Sequence, residues 1–265
     1  MSTYRSRAVG LEGMLDELFG LPTLEGDPIA EEADAGFPLR PFANRIPLDD
    51  LLATEPRTDE SPAERLYRRA VEASSRGRVS EAVHRYRELL ALEPGHTSAR
   101  NNLSLLLESS GDPAEALVQL EEAVAAAPND PQLLVARGSA YSRLKRYAEA
   151  ETDLRRAARL SPDSAPTLLA LGLTLWRKGV TREAIEVLRR AIELEPGNAT
   201  AYYYLGEAMN QASDLAGART ALERSVELAP EHGRTFRLLG RVLDRLGRPD
   251  DAREAYRRAR EAGES

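Results

Sequence analysis

The chain has 265 residues and a formal charge of −7, with 30% charged and only 5% aromatic residues. It contains no cysteine, which excludes disulfides, thiolate metal sites and cysteine nucleophiles and suits a reducing compartment. Residues 1–60 carry a net charge of −8 and the remainder +1, so the repeated part lacks the positive excess that general nucleic-acid binding needs.

The first sixty residues are acidic and interrupted by Pro22, Pro28, Pro38, Pro41, Pro47 and Pro56, so most of this segment is expected to be irregular. Arg5 and Arg7 are not followed by a secretory apolar run, because Glu12, Asp16 and Glu17 intervene. No stretch reaches the roughly 18 apolar residues of a membrane span, and a cytoplasmic protein with no membrane insertion is expected. Within residues 9–19, Leu11, Met14, Leu15, Leu18 and Phe19 follow helical spacing and predict a short amphipathic helix. Ile46, Leu48, Leu51 and Leu52 make a weaker one over 46–52. Ordering about ten residues costs on the order of 10–15 kcal/mol, about as much as burying their apolar face returns. This segment is therefore expected to be helical only when docked, on its own chain, on a neighbouring copy or on another protein.

From residue 63 a period of 34 governs the sequence. Pro94, Pro128, Pro162, Pro196 and Pro230 recur at that interval and divide the chain into units 63–96, 97–130, 131–164, 165–198, 199–232 and 233–265. Position 20 is alanine in all six units: Ala82, Ala116, Ala150, Ala184, Ala218 and Ala252. Position 8 is always small (Ala70, Ser104, Gly138, Gly172, Gly206, Gly240), and position 24 is always Leu or Tyr. Apolar residues at positions 4, 7 and 11 predict a first helix, and those at 20, 24 and 27 a second that stops before the proline. The turn between them falls at position 15, where Gly77, Gly111, Gly179 and Gly247 are joined by two departures, Lys145 and Ser213. Small residues at 8 and 20 would let the paired helices approach closely, with position 24 filling the space beside them.

This pattern resembles the tetratricopeptide repeat (TPR) over about three quarters of the chain. Arg100 at position 4, Arg69 and Arg137 at position 7, and Glu264 in place of a sixth proline depart from it. The resemblance implies an all-α, right-handed superhelical solenoid of antiparallel helix pairs, preceded by a largely irregular segment. Neighbouring units would bury one another's apolar faces. At position 28 the sixth unit has Arg260, flanked by Arg257 and Arg258, which reads as a solvating end to the array with no further domain expected beyond it.

The resemblance further implies a concave surface lined by positions 2, 5, 9 and 12 of the first helices. Candidate peptide-binding residues there are Asn101, Leu105, Val135, Leu169, Leu173, Trp176, Tyr203, Asn210, Arg237 and Arg241. Leu169, Leu173 and Trp176 form a second apolar stripe, which either packs against adjacent repeats or, as the favoured reading, stands exposed in the groove as an anchor for a partner. Val135 and Leu169 replace the polar donors with which some TPR co-chaperones grip a C-terminal carboxylate. Arg234, Arg237, Arg241 and Arg245 form a basic stripe that reads either as a solvated end helix or as a clamp for an acidic segment.

No metal trio can form from His84, His96 and His232, and no strand precedes a glycine-rich phosphate loop. The expectation is a non-enzymatic scaffold or adaptor without cofactor, binding a partner protein's peptide or helix in the groove. The alternative is self-assembly, in which the N-terminal amphipathic segment docks in its own or a neighbouring copy's groove. Nucleic-acid binding through the sixth-unit arginines ranks below both.

Overall fold

The structure is a computed structural model that describes residues 60–263. The expected docking segment (Leu11, Met14, Leu15, Leu18 and Phe19), the 46–52 segment and Glu264 lie outside the described residues. The described residues form twelve helices and no strand. First helices are α1 (Pro62–Ser75), α3 (Thr97–Ser109), α5 (Pro131–Arg143), α7 (Ala165–Lys178), α9 (Ala199–Gln211) and α11 (Gly233–Arg245). Second helices are α2 (Val79–Leu92), α4 (Pro113–Ala126), α6 (Tyr147–Leu160), α8 (Thr181–Leu194), α10 (Leu215–Leu228) and α12 (Pro249–Gly263). None is long and apolar enough to cross a membrane.

The fold follows from a turn and a contact. At position 15 the backbone is left-handed in every repeat: Gly77, Gly111, Gly179 and Gly247 have φ between 71° and 86°, and Lys145 and Ser213 have 60° and 63°. The following N–H reaches back to the carbonyl five residues earlier, as in Val180 N to Leu175 O at 2.8 Å and Arg146 N to Tyr141 O at 2.9 Å. This Schellman arrangement satisfies the orphan carbonyls of the first helix and reverses the chain at once. The departures Lys145 and Ser213 therefore occupy the same turn as the glycines, under strain.

The contact joins positions 8 and 24. A Cβ on Gly172 would lie 2.6 Å from Leu188 Cγ, one on Gly206 2.6 Å from Leu222 Cγ, and one on Gly240 2.6 Å from Tyr256 Cε1. All six position-20 alanines are buried. These three glycines thus let their helix pairs close over a large side chain.

The chain falls into two compact units, one running to Ala140 and one from Tyr141. In the first, α1 packs on α2, α2 on α3 and α3 on α4, around a core that includes Tyr86, Leu89, Leu103 and Leu107. The departure at position 4 is accommodated here. Arg100 is largely buried, donates to the Pro94 carbonyl through Nε at 3.0 Å and Nη2 at 2.8 Å, and bonds Gln119 Oε1 at 2.9 Å and the Glu122 carboxylate. Its stem fills the place of a bulky apolar side chain while its head satisfies an inter-repeat carbonyl. Arg69 is exposed.

In the second unit each helix from α6 to α12 packs on the next, and α9 also touches α7 and α11. The first helices therefore lie side by side, and their shared face carries the candidate site. Arg257, Arg258 and Arg260 on α12 are exposed, as the position-28 reading expects.

Two substitutions test this account. Lys145→Gly should raise stability by about 0.5–1 kcal/mol, since the left-handed turn costs an L-residue more than glycine's extra chain entropy. Gly206→Ala should lower it by about 1–2 kcal/mol, although a helical Gly→Ala change normally gains about 1 kcal/mol. Urea midpoints of the purified proteins check both signs.

Candidate functional site

In the second unit, aromatic side chains run across the first helices. Trp176 at the end of α7 is half-buried against Tyr204 of α9, with ring centroids 5.8 Å apart. Tyr204 meets Tyr203 edge-on at 5.1 Å, and Tyr203 meets His232, just before α11, edge-on at 5.9 Å. The Tyr203–His232 pairing has a counterpart in the first unit, where Tyr67 stacks on His96 at 4.9 Å. Both pairs join position 5 of a repeat to its position 34. That last position is also where the next first helix is capped: Asn198 Oδ1 accepts from Ala201 N at 3.0 Å, and His96 Nδ1 from Ala99 N at 3.2 Å.

Charged groups border the aromatic run. The Tyr203 hydroxyl donates to Glu207 Oε1 at 3.1 Å, and the exposed Arg241 approaches the same oxygen at 4.0 Å. Burial pushes the Glu207 carboxyl above the usual carboxylate range, while the Tyr203 hydroxyl and Arg241 pull the other way. Burial and the neighbouring Glu207 push the Tyr203 hydroxyl up. His232 is lowered to about 4 by burial and then by the nearby Arg234 and Arg237. Its Nδ1 lies 2.7 Å from Thr235 Oγ1, and Thr235 is fully buried.

The basic stripe of α11 divides on inspection. Arg245 is tied to the preceding repeat, donating to the Asn210 carbonyl at 3.0 Å, to Asn210 Oδ1 and to Ser213 Oγ at 3.3 Å. Arg234 is half-buried, whereas Arg237 and Arg241 are exposed. Asp244, the acidic residue of α11, accepts from the Tyr256 hydroxyl of α12 at 2.8 Å.

The expected exposed apolar strip needs correction. Leu169 and Leu173 are only 5% and 2% exposed, and Tyr203 and Val135 are buried too. These side chains belong to the packed interior, and of the α7 stripe only Trp176 retains partial exposure. In the first unit Asn101 is buried and Leu105 half-buried. The structure thus links Trp176 through Tyr204 to Tyr203, and Tyr203 through Glu207, at groove position 9, to Arg241, with Asn210 and Arg237 on the same two helices; it adds Tyr204 and His232, which the groove positions do not include. The signal for Tyr204 was the Tyr202–Tyr203–Tyr204 run. Among the described residues no group of three His, Asp or Glu side chains could hold a metal ion.

The environment of His232 gives a pH signature. Between its unfolded value of about 6.5 and its folded value of about 4 the unfolded chain binds the extra proton, so stability falls as pH drops through that window. His232→Asn, which installs the cap residue of the preceding repeat, should remove most of that loss while leaving stability at pH 7 little changed. Urea titrations at pH 7 and pH 5 measure it, and the wild-type His232 ring should stay neutral to about pH 4 by NMR.

A family model described as tetratricopeptide repeat matches residues 67–131, 108–165, 169–232 and 211–265. No match was found among curated protein sequences. Among solved structures, MamA (residues 41 to the end) from Desulfovibrio magneticus RS-1 is 28% identical with a TM-score of 0.56, covering 63% of this chain and 94% of its own. PilF of Pseudomonas aeruginosa is 18% identical with a TM-score of 0.64, covering 73% and 88%. YrrB, described as a TPR protein with an unusual peptide-binding site, is 20% identical with a TM-score of 0.52, covering 67% and 91%. The repeated turn, the buried small residues and a family match spanning most of the sequence agree: the chain belongs to the tetratricopeptide repeat family, whose fold generally serves as a non-catalytic protein-interaction scaffold.

Proposed function

We propose that this protein is an adaptor that holds a peptide or helix of a partner protein on the first-helix face of its fourth to sixth repeats. The observation that carries the reading is the pair Arg237 and Arg241, exposed on α11, with Arg241 4.0 Å from the Glu207 carboxylate that the Tyr203 hydroxyl bonds. Packing of the repeat uses positions 4, 7, 8 and 11, as Phe236, Leu239, Gly240 and Leu243 do in α11. Arg237 and Arg241, at positions 5 and 9, are not needed for that core.

The chemistry of the face selects a partner segment with carboxylate or amide groups. Guanidinium forks hold carboxylates with two parallel hydrogen bonds. Trp176 offers an aromatic edge of the kind that anchors interfaces. Buried Leu169 and Leu173 supply the floor under this face rather than contacts of their own. The lack of cysteine and of any membrane-spanning helix among the described residues fits work in the cytoplasm, in the assembly of complexes.

Affinity capture with mass spectrometry should recover one or more proteins on wild type and lose them on Arg237→Glu plus Arg241→Glu. Circular dichroism should confirm unchanged helicity, since both side chains are exposed. The same protein set on both baits would overturn the reading.

A further inference from the structure

We infer that the arginine face of α11 has a built-in occupant, the acidic N-terminal segment of this same protein, which competes there with the partner. The inference rests on the proposed binding face and adds what regulates it.

Charge is the first support. Of the four arginines on the α11 stripe, Arg245 is tied to Asn210, and the acid Asp244 is held by Tyr256. Arg237 and Arg241 remain exposed, and the carboxylate beside them, Glu207, reaches only Arg241, at 4.0 Å. The face therefore carries more positive charge than its own acids balance. Residues 61–265 are close to neutral overall, while residues 1–60 hold a net charge of −8. Within that segment Glu60 is already paired with Arg68 at 2.8 Å, which leaves the other twelve acids against five arginines.

Spacing is the second. Glu12 and Asp16 stand four residues apart, as Arg237 and Arg241 do, so a helical turn at 12–16 would present two carboxylates to two guanidinium groups.

Because the chain has no cysteine, two can be introduced without background. Spin labels at Gly20→Cys and Glu231→Cys in the full-length protein allow pulsed electron-spin distance measurement. A short-distance population is expected, lost in Arg237→Glu plus Arg241→Glu and restored when Glu12→Arg, Asp16→Arg and Glu17→Arg are added. Dilution with unlabelled protein shows which copy supplies the segment: a signal that persists comes from the same chain, and one that fades from a second. The triple arginine variant alone should free the face and increase partner recovery in affinity capture. A broad distance distribution in the parent, or a short distance indifferent to the charge changes, overturns the inference. If partner capture still depends on Arg237 and Arg241 in that case, the binding face stands and only its internal occupant falls.

Discussion

A methyl group at residue 206 would displace the side chain it packs on, because Leu222 Cγ sits 2.6 Å from where a Cβ would be. The same restriction holds at Gly172 against Leu188 and at Gly240 against Tyr256. Helices that approach this closely bury the position-20 alanines completely and leave each pair as a thin slab. A thin slab cannot bury its apolar faces alone, so stacking on the next pair follows. The left-handed turn at position 15 makes that pairing local: chain reversal takes place within three residues, and the second helix returns along the first.

Once packing is assigned to positions 4, 7, 8, 11, 20 and 24, the remaining first-helix positions are released from structural duty to different degrees. On α9, Tyr203 at position 5 is drawn into the interior, and its hydroxyl needs an acceptor there. Glu207, one turn later, provides it at 3.1 Å and becomes partly desolvated as a result. On α11 the same two positions carry Arg237 and Arg241, which stay in solvent. Adjacent repeats thus use equivalent positions for opposite purposes, one for internal hydrogen bonding and one for a charged surface.

Much of this was legible in the sequence. The period, the two helices per repeat, the small-against-large contact and the special turn all follow from residue identities at fixed positions. Lys145 and Ser213 show the strength of the pattern, since the turn forms there without glycine. Arg100 was legible as a departure but not as a solution, because its acceptor is a backbone carbonyl that sequence does not advertise. The stripe of Leu169, Leu173 and Trp176 misled for a related reason. Helical spacing identifies which side chains share a face, but the depth of that face depends on neighbouring helices. Glu207 stands at a groove position by spacing, but its half-buried bond to Tyr203 was hidden because an acid on a helix reads as solvated until the Tyr203 hydroxyl is placed beside it.

In the proposed role, electrostatics gives the face a selectivity that apolar packing would not. Exposed arginines in water attract carboxylates over roughly a Debye length, about 8 Å at physiological salt, so they guide encounter more than they fix affinity. Glu207 then limits what can be accommodated. A second carboxylate placed deep against Tyr203 would lie beside an acid whose ionised form is already disfavoured by burial, whereas one held at the rim by Arg237 and Arg241 avoids that repulsion. On the proposed reading, acidic groups of a partner belong at the edge, beside Arg237 and Arg241. An exposed apolar strip would suit any apolar helix; in the proposed role a charged rim over a sealed floor discriminates by where a ligand carries its charge.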